Sequence, residues 1–291
     1  MRGQMLGFSK AFLGLLLLAP LSVGSLSSAE ANPLAAHSAV IVKSQSSSGQ
    51  TSPENCHITA VVSAFITCTY GPKHPTYRIA LTGDSHAMQY QQPVLALAKK
   101  YSWSVTFVLK SGCPLVDVAL YPANMDRPSC KWWSVKRDAY FASQRPFDLI
   151  INSNSSFITR YKTGIVDSYA AAVKKFTNRG STVLLVRDNP KGVTGVEICA
   201  ANKSKLASGH CDSPRSKALL PSDPLPAAIA GNDHAIVADF TDAYCDAKTC
   251  YASRFGQNVY RNRSHISYSW AMHLLSRFDA AIPEKLKHPK K

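Results

Sequence analysis

The stretch "LTGDSHAMQY" (residues 81–90) follows directly on the segment "YRIA" (77–80). A short run of this kind that ends in glycine and aspartate is typical of a β-strand that turns into a helix. Ser85 would stand at that turn, where a serine can cap the helix or act as a nucleophile. The residues that surround the turn in the fold decide between these two roles.

The first strand is predicted over "YRIALTG" (77–83), and the same alternation of strand and helix continues after it. Four further runs rich in β-branched or aromatic residues are predicted strands, namely "WSVTFVLK" (103–110), "FDLIIN" (147–152), "STVLLVR" (181–187) and "HAIVADF" (234–240). Predicted helices cover about 85–100, 131–144, 158–178, 222–230 and 266–278. Apolar strands separated by helices predict a five-stranded parallel sheet with helices on both faces, a three-layer α/β/α sandwich.

The N-terminus has the features of an export signal. Two basic residues precede the apolar run "AFLGLLLLAPLSV" (11–23), and Ala29 and Ala31 form an A-x-A cleavage pattern. The alternative is an uncleaved anchor, but the apolar run is shorter than the roughly 20 residues that span a bilayer as a helix. We therefore predict that residues 1–31 are a signal peptide and that the protein is secreted or periplasmic.

The remaining chain is predicted to contain one domain. Residues 32–55 are rich in Ser, Gln and Pro and are predicted to be a flexible spacer, residues 56–282 the domain, and residues 283–291 a basic tail. Hydrophobic residues make up 45% of the chain, which excludes disorder throughout. The net charge of +15 favours an anionic envelope polymer rather than nucleic acid as partner outside the cytoplasm, with general solubility as the alternative.

All eight cysteines lie after the predicted cleavage site. Eight cysteines allow 105 pairings, so the sequence alone leaves the connectivity open. Short-range pairing favours Cys56–Cys68, Cys113–Cys130, Cys199–Cys211 and Cys245–Cys250. None of them forms a C-x-x-C pair, and an oxidising compartment favours disulfides over zinc. We expect no metal and no other cofactor.

Polar residues follow the predicted strands where the strands end. "GDS" (83–85), "SGC" (111–113) and "NSN" (152–154) follow the first three strands, and His265 lies in "YRNRSHIS" (260–267) near the C-terminus. In an open parallel sheet such loops meet at one edge. A serine that attacks, a histidine that takes its proton, and N–H groups that stabilise an oxyanion are the parts that acyl transfer requires.

These motifs carry a resemblance to a known family. "GDSHA" with "SGCP", "VRDNP" (186–190), and "YRNRSHIS" before the last helix resemble the SGNH hydrolase superfamily of GDSL-like esterases. They are most similar to secreted SGNH domains found alone or fused to membrane O-acyltransferases that modify bacterial cell-surface glycans. The resemblance covers roughly residues 75–278 and implies a flavodoxin-like SGNH hydrolase fold.

The resemblance also implies the role of each site residue. Ser85 would be the nucleophile, and its own N–H and that of Gly112 would stabilise the oxyanion. Asn154 would supply a third donor from its side chain. Asn152 is the rival, because the family's G-x-N-D block here begins Asn152-Ser153-Asn154 and lacks both the glycine and the aspartate. Turn capping is the alternative role for either asparagine. His265 would be the general base.

The departure from the family pattern is Asn262. The family's D-x-x-H motif places an aspartate three residues before the histidine, where it orients the imidazole and stabilises its charged form. Asn262 can accept a hydrogen bond from the ring but carries no charge, unless Asp242 or a backbone carbonyl supports the ring instead.

Three more residues are predicted to line the cleft. Asp84, His86 and Asp188 lie beside the motifs, as the rival Asn152 does. His86 is unsuited as the base, because adjacent side chains on a helix point in different directions.

Two functions from different classes remain open. The first is a serine esterase or O-acyltransferase that acts on acyl groups, above all acetyl, of a cell-envelope polysaccharide and works with a membrane acyltransferase. The second is a catalytically weak or inactive SGNH-fold protein that binds a glycan or an anionic envelope polymer.

Overall fold

The computed structural model describes residues 40–44, 56, 58–59, 64–125, 127–159 and 162–288. The predicted signal peptide and most of the predicted spacer lie outside these residues, as do the last three residues of the basic tail. The division of the chain into those segments stays a prediction.

The strands are given first, in chain order. They are β1 (Val40–Ser44), β2 (Phe65–Tyr70), β3 (Arg78–Gly83), β4 (Ser104–Leu109), β5 (Leu149–Ser153), β6 (Thr182–Val186), β7 (Ser213–Pro214), β8 (Ala235–Ala238), β9 (Thr249–Cys250), β10 (Ser253–Arg254) and β11 (Gln257–Asn258). Seven of them form one sheet in the order β1-β2-β4-β3-β5-β6-β8. Two small antiparallel pairs, β7 with β9 and β10 with β11, lie outside it.

The predicted parallel sheet is confirmed and is larger than expected. All five predicted strands are present as β3, β4, β5, β6 and β8, and every neighbouring pair among them is parallel. Beyond β4, the antiparallel strand β2 and then β1 extend the edge. Strand β1 lies inside residues 32–55, the stretch predicted to be a spacer. Both strands are short runs with β-branched or aromatic residues, VIVKS and FITCTY, so a local signal was present but was not used in the prediction.

The helices follow in chain order. They are α1 (Ser85–Met88), α2 (Gln91–Tyr101), α3 (Arg127–Ser143), α4 (Ser156–Thr159), α5 (Ile165–Thr177), α6 (Val196–Ala201), α7 (Lys203–Ala207), α8 (Arg215–Ala218), α9 (Leu225–Ala228), α10 (Thr241–Tyr244), α11 (Tyr268–His273) and α12 (Leu275–Ala281). Helices α6, α7, α8 and α10 were not predicted. The predicted helix over 85–100 is divided into α1 and α2. Pro93 explains the division, because a proline ring clashes with the carbonyl four residues earlier, here that of Gln89.

The sheet is buried on both faces, as a three-layer sandwich requires. Alternate residues of β3 enter different cores, since Ile79 and Leu81 belong to one apolar cluster and Ala80 to the other. The first cluster includes side chains of α2, α11 and α12, and the second includes side chains of α3 and α5. Because strand side chains alternate between faces, helices cover the sheet from both sides.

Four disulfides tie loops to this framework. They join Cys56 to Cys68, Cys113 to Cys130, Cys199 to Cys211 and Cys245 to Cys250, which is the short-range pairing. The Cys113–Cys130 bridge fastens the loop after β4 to α3. Such bridges are consistent with an extracytoplasmic domain. Within the part of the chain that the structure describes, no helix has the length and hydropathy to cross a membrane.

Gly83 lets the end of β3 approach β5 closely. Its φ is 140°, and a Cβ at this position would lie 2.1 Å from the carbonyl oxygen of Ser153. Only glycine fits such a contact without moving the backbone. The glycine therefore holds the turn that carries Asp84 and Ser85 against the neighbouring strand.

Candidate active site

Asp84, not Ser85, caps helix α1. One carboxylate oxygen of Asp84 accepts the N–H of His86 at 2.8 Å, and the other accepts the N–H of Ser155 at 2.9 Å. The carboxylate is buried, and burial raises its pKa even though the charge of His86 and the two N–H groups act against the shift. Because Asp84 does the capping, the hydroxyl of Ser85 is available for other contacts.

The hydroxyl of Ser85 meets the ring of His265. The distance from Ser85 Oγ to His265 Nε2 is 2.8 Å, although the residues are 180 positions apart. Ser85 lies at the carboxyl end of β3, and His265 lies in the loop between β11 and α11. This distance is within the range for direct proton transfer from a nucleophile to a general base.

Asn262 holds the other side of the imidazole. Its Oδ1 lies 3.0 Å from His265 Nδ1 and also accepts the backbone N–H groups of Ser264 and His265, at 3.1 and 3.0 Å. Those two N–H donors fix which end of the amide faces the ring, so Nδ1 is the protonated nitrogen. Nε2 is then free to accept the proton of Ser85. Asn262 thus orients the ring without supplying negative charge.

Asp242 does not take the place of the missing acid. It pairs with Arg277 at 2.7 Å on the surface, so the sequence alternative that assigned it to His265 is wrong. Burial lowers the pKa of His265 to about 4, and the nearby charges of His86 and Arg261 act in the same direction. The ring is therefore neutral at pH 7, which is the form that a general base needs.

A second histidine–carboxylate pair lies directly beside the first histidine. His86 Nδ1 lies 2.5 Å from Asp188 Oδ1, and both side chains are buried. Burial opposes the charged form of His86, but Asp188 outweighs it and raises the pKa of His86 above the ordinary value. The ring centroids of His86 and His265 are 4.9 Å apart. Asp188 also accepts both the N–H and the hydroxyl of Ser156, at 2.7 and 2.9 Å. His86 is thus engaged by Asp188.

The predicted oxyanion donors Gly112 and Asn154 follow the ends of β4 and β5, the two strands beside β3. Gly112 lies in the turn after β4 with φ 71°. Asn154 Oδ1 accepts the N–H of Leu115 at 3.0 Å, and its Nδ2 donates to Asn152 Oδ1 at 2.7 Å and lies 3.5 Å from the hydroxyl of Tyr169. Asn152 donates to the carbonyl of Thr82 at 2.8 Å. The second N–H of Asn154 therefore has only a long contact, and its role as a donor to an oxyanion stays a prediction.

Two residues that sequence reasoning missed hold the His265 loop in place. Gln89 donates to Asn189 Oδ1 at 2.7 Å and accepts the N–H of Ile266 at 3.0 Å. Asn189 in turn donates to the carbonyl of Ser264 at 3.0 Å. The loop is thus fixed on both sides of His265. Asn189 lies in the quoted "VRDNP" stretch, but nothing in the sequence marks the contacts of either side chain with the His265 loop.

Comparison with known proteins agrees with this fold. The sequence profile of the SGNH domain (fused to AT3 domains) matches residues 55–280, so the chain belongs to that family. The periplasmic domain of the lipopolysaccharide acetyltransferase of Salmonella ser. Paratyphi A is similar in structure, with a TM-score of 0.54 and 12% identity over 72% of this chain and 84% of that one. An acetyl xylan esterase, AlAXEase, has a TM-score of 0.41 and 10% identity over 71% and 99% of the two chains. A search of curated proteins finds no match.

Proposed function

We propose that the protein is an exported serine esterase or O-acyltransferase that acts on acyl esters of a cell-envelope polysaccharide. The observation that carries the proposal is the 2.8 Å contact between Ser85 Oγ and His265 Nε2. Membership of a family with acyltransferase fusions supports ester chemistry. It also supports a membrane acyltransferase as partner. No cofactor is needed for the reaction proposed here.

The reaction proceeds through an acyl-Ser85 intermediate. Ser85 Oγ attacks the carbonyl carbon of the ester while its proton moves to His265 Nε2. The N–H groups of Ser85 and Gly112 and the amide of Asn154 stabilise the oxyanion. The bond to the leaving alcohol then breaks, and His265 returns the proton to that alcohol. Water or a sugar hydroxyl attacks the acyl-serine in a second round that releases the acid or a new ester.

Several features support an envelope substrate. The net charge of +15 attracts anionic polymers, and the four disulfides suit an oxidising compartment. The predicted signal peptide over residues 1–31 fits the same location. We propose on these grounds that the acceptor or donor is a surface glycan, and that an anionic envelope polymer binds the basic surface.

Asn262 favours a second candidate function. An uncharged residue in the place of the triad acid weakens the general base, and a weak enzyme can still use its cleft to bind a glycan. A protein of this kind would retain the fold and the positive surface but turn over esters very slowly.

Covalent labelling separates the two candidates. We expect an organophosphonate to add one phosphonyl group to the native protein, because the Ser85–His265 contact makes this hydroxyl nucleophilic. Intact-protein mass measures the adduct, and peptide mass should locate it at Ser85. Protein unfolded in denaturant before exposure is the control and should remain unlabelled. A native protein that does not react would favour the glycan-binding function.

The depressed pKa of His265 predicts the acid side of the pH profile. We expect kcat/KM for an aryl acetate to stay level from neutral pH downward and to fall only as the pH drops through about 4, where His265 becomes protonated and can no longer accept the proton of Ser85. Initial rates at constant ionic strength measure the profile, with circular dichroism at each pH to show that the fold persists. An acid limb near 6.5, the ordinary value for histidine, would contradict the expected effect of burial.

A further inference from the structure

A cavity of about 520 Å³ lies beside the candidate active site. It opens between the carboxyl ends of β5 and β6, helix α5 and the segment that leads into α9. Apolar side chains form most of its wall, among them Ile165, Val166, Tyr169, Leu220, Pro224 and Leu225. Its volume is in the range of pockets that hold small organic ligands.

The charged side chains in the wall are already paired. Arg187 pairs with Asp223 at 3.4 Å, and Asp188 pairs with His86. Charges that are already neutralised by a partner attract a charged ligand only weakly. The favourable contribution to binding in this cavity therefore comes from the burial of apolar surface.

The amides in the wall are engaged in the same way. Asn154 uses its carbonyl for Leu115 and one N–H for Asn152, and Asn152 donates to Thr82. Apart from the second N–H of Asn154, which is the donor proposed for the oxyanion, a polar ligand would have to compete with these hydrogen bonds. An apolar ligand would leave them intact.

The cavity shares residues with the network that holds Ser85. Asn154 lies in the wall, and the next residue, Ser155, donates its N–H to Asp84 beside Ser85. Asp188 also lies in the wall, and it contacts His86, the residue that follows Ser85 in the sequence. The substituent of a carbonyl whose oxygen faces Asn154 would therefore start at the wall of this cavity.

We propose that the cavity receives the acyl chain of the ester substrate, so that the enzyme prefers unbranched apolar acyl groups longer than the acetyl group favoured from the sequence. This inference rests on the proposed acyl-Ser85 intermediate. An acetyl group leaves the apolar wall uncovered, whereas a chain of six carbons covers part of it. Each additional buried methylene is worth roughly fourfold in binding.

The test is a chain-length series of p-nitrophenyl esters from acetate to octanoate. We expect kcat/KM for the hexanoate to exceed that for the acetate by about tenfold or more, since several methylenes are buried. In Val166→Trp, whose indole would fill the cavity from α5, the ratio of hexanoate to acetate should fall by about tenfold or more, to near one or below. The ratio does not depend on the fraction of active protein.

Matched variants make the result specific. Val135→Trp places the same side chain at an exposed position of α3 and should keep the wild-type ratio. Should Val166→Trp fail to fold by circular dichroism, Ala227→Trp, at an exposed position of the wall on α9, replaces it.

Each outcome bears on one proposal or the other. A wild-type protein that hydrolyses the acetate best, or a ratio that none of the folded cavity variants changes, would overturn the acyl-chain site and leave the serine chemistry standing. A protein that hydrolyses no ester and takes no phosphonate label at Ser85 would overturn the proposed function, and the acyl-chain site with it.

Discussion

Replacement of Ser85 by alanine is expected to lower kcat/KM for an aryl acetate by at least about 10⁴-fold, because loss of the nucleophile in a serine enzyme typically removes most of the catalysis. In the proposed mechanism, Ser85 becomes nucleophilic because His265 Nε2, 2.8 Å from its Oγ, accepts the hydroxyl proton. Without the oxygen, no acyl-enzyme can form, and the phosphonate label should disappear with the activity. Initial rates and intact-protein mass measure both losses.

The same substitution should change stability only slightly. Asp84 caps helix α1, so Ser85→Ala removes the hydrogen bond with His265 but no capping interaction, and we expect the free energy of unfolding to change by about 1 kcal/mol or less. Chemical denaturation measures this value. Ser204→Ala, at an exposed serine of α7, is the control for activity and stability. A variant that keeps a tenth or more of the wild-type activity would show that another group attacks the ester.

The sequence predicts those parts of the fold that depend on local residue patterns, and it predicts less well the parts that depend on contacts between distant segments. The five parallel strands are short apolar runs, so local pattern is sufficient to find them. Strands β1 and β2 pair outside the parallel block; their sequences, VIVKS and FITCTY, have the strand pattern, but the surrounding Ser-rich stretch and the absence of a following helix led the prediction past them. The break between α1 and α2 was predictable in principle, because Pro93 excludes a continuous helix. The hydrophobic periodicity, taken alone, predicted one unbroken helix over 85–100.

The candidate site shows the same limit. The "GDS" motif and the late histidine mark Ser85 and His265 in the sequence, yet the question of cap or nucleophile required the contacts of Asp84. The preference of helix N-termini for aspartate was a usable signal for that cap. Gln89 and Asn189 hold the His265 loop through side-chain contacts across about a hundred positions. No local sequence pattern predicts such contacts, because they depend on how the loops pack against one another.

Asn262→Asp is expected to raise activity. The carboxylate would occupy the place of an amide that already lies 3.0 Å from His265 Nδ1, and it could accept the same two backbone N–H groups. Asn262 is exposed, so a new charge there costs little desolvation. The negative charge would stabilise the protonated ring that forms as Ser85 attacks. In a serine-protease triad the reverse change costs about 10⁴-fold in kcat, mostly through a wrong tautomer.

The tautomer is already correct in this protein, so only the charge is missing and the gain should be smaller than that figure. We expect kcat/KM at pH 7 to rise by about tenfold or more. The acid limb should move upward from about 4, because a carboxylate beside the imidazole raises the pKa of His265. Asn258→Asp, on the exposed strand β11, adds the same charge nearby and should change neither value. If the rate of Asn262→Asp stays the same while the acid limb moves, the charge reaches His265 but the step it assists does not limit turnover. If neither moves, His265 is not the base, since a general base must respond to a charge placed against its own ring.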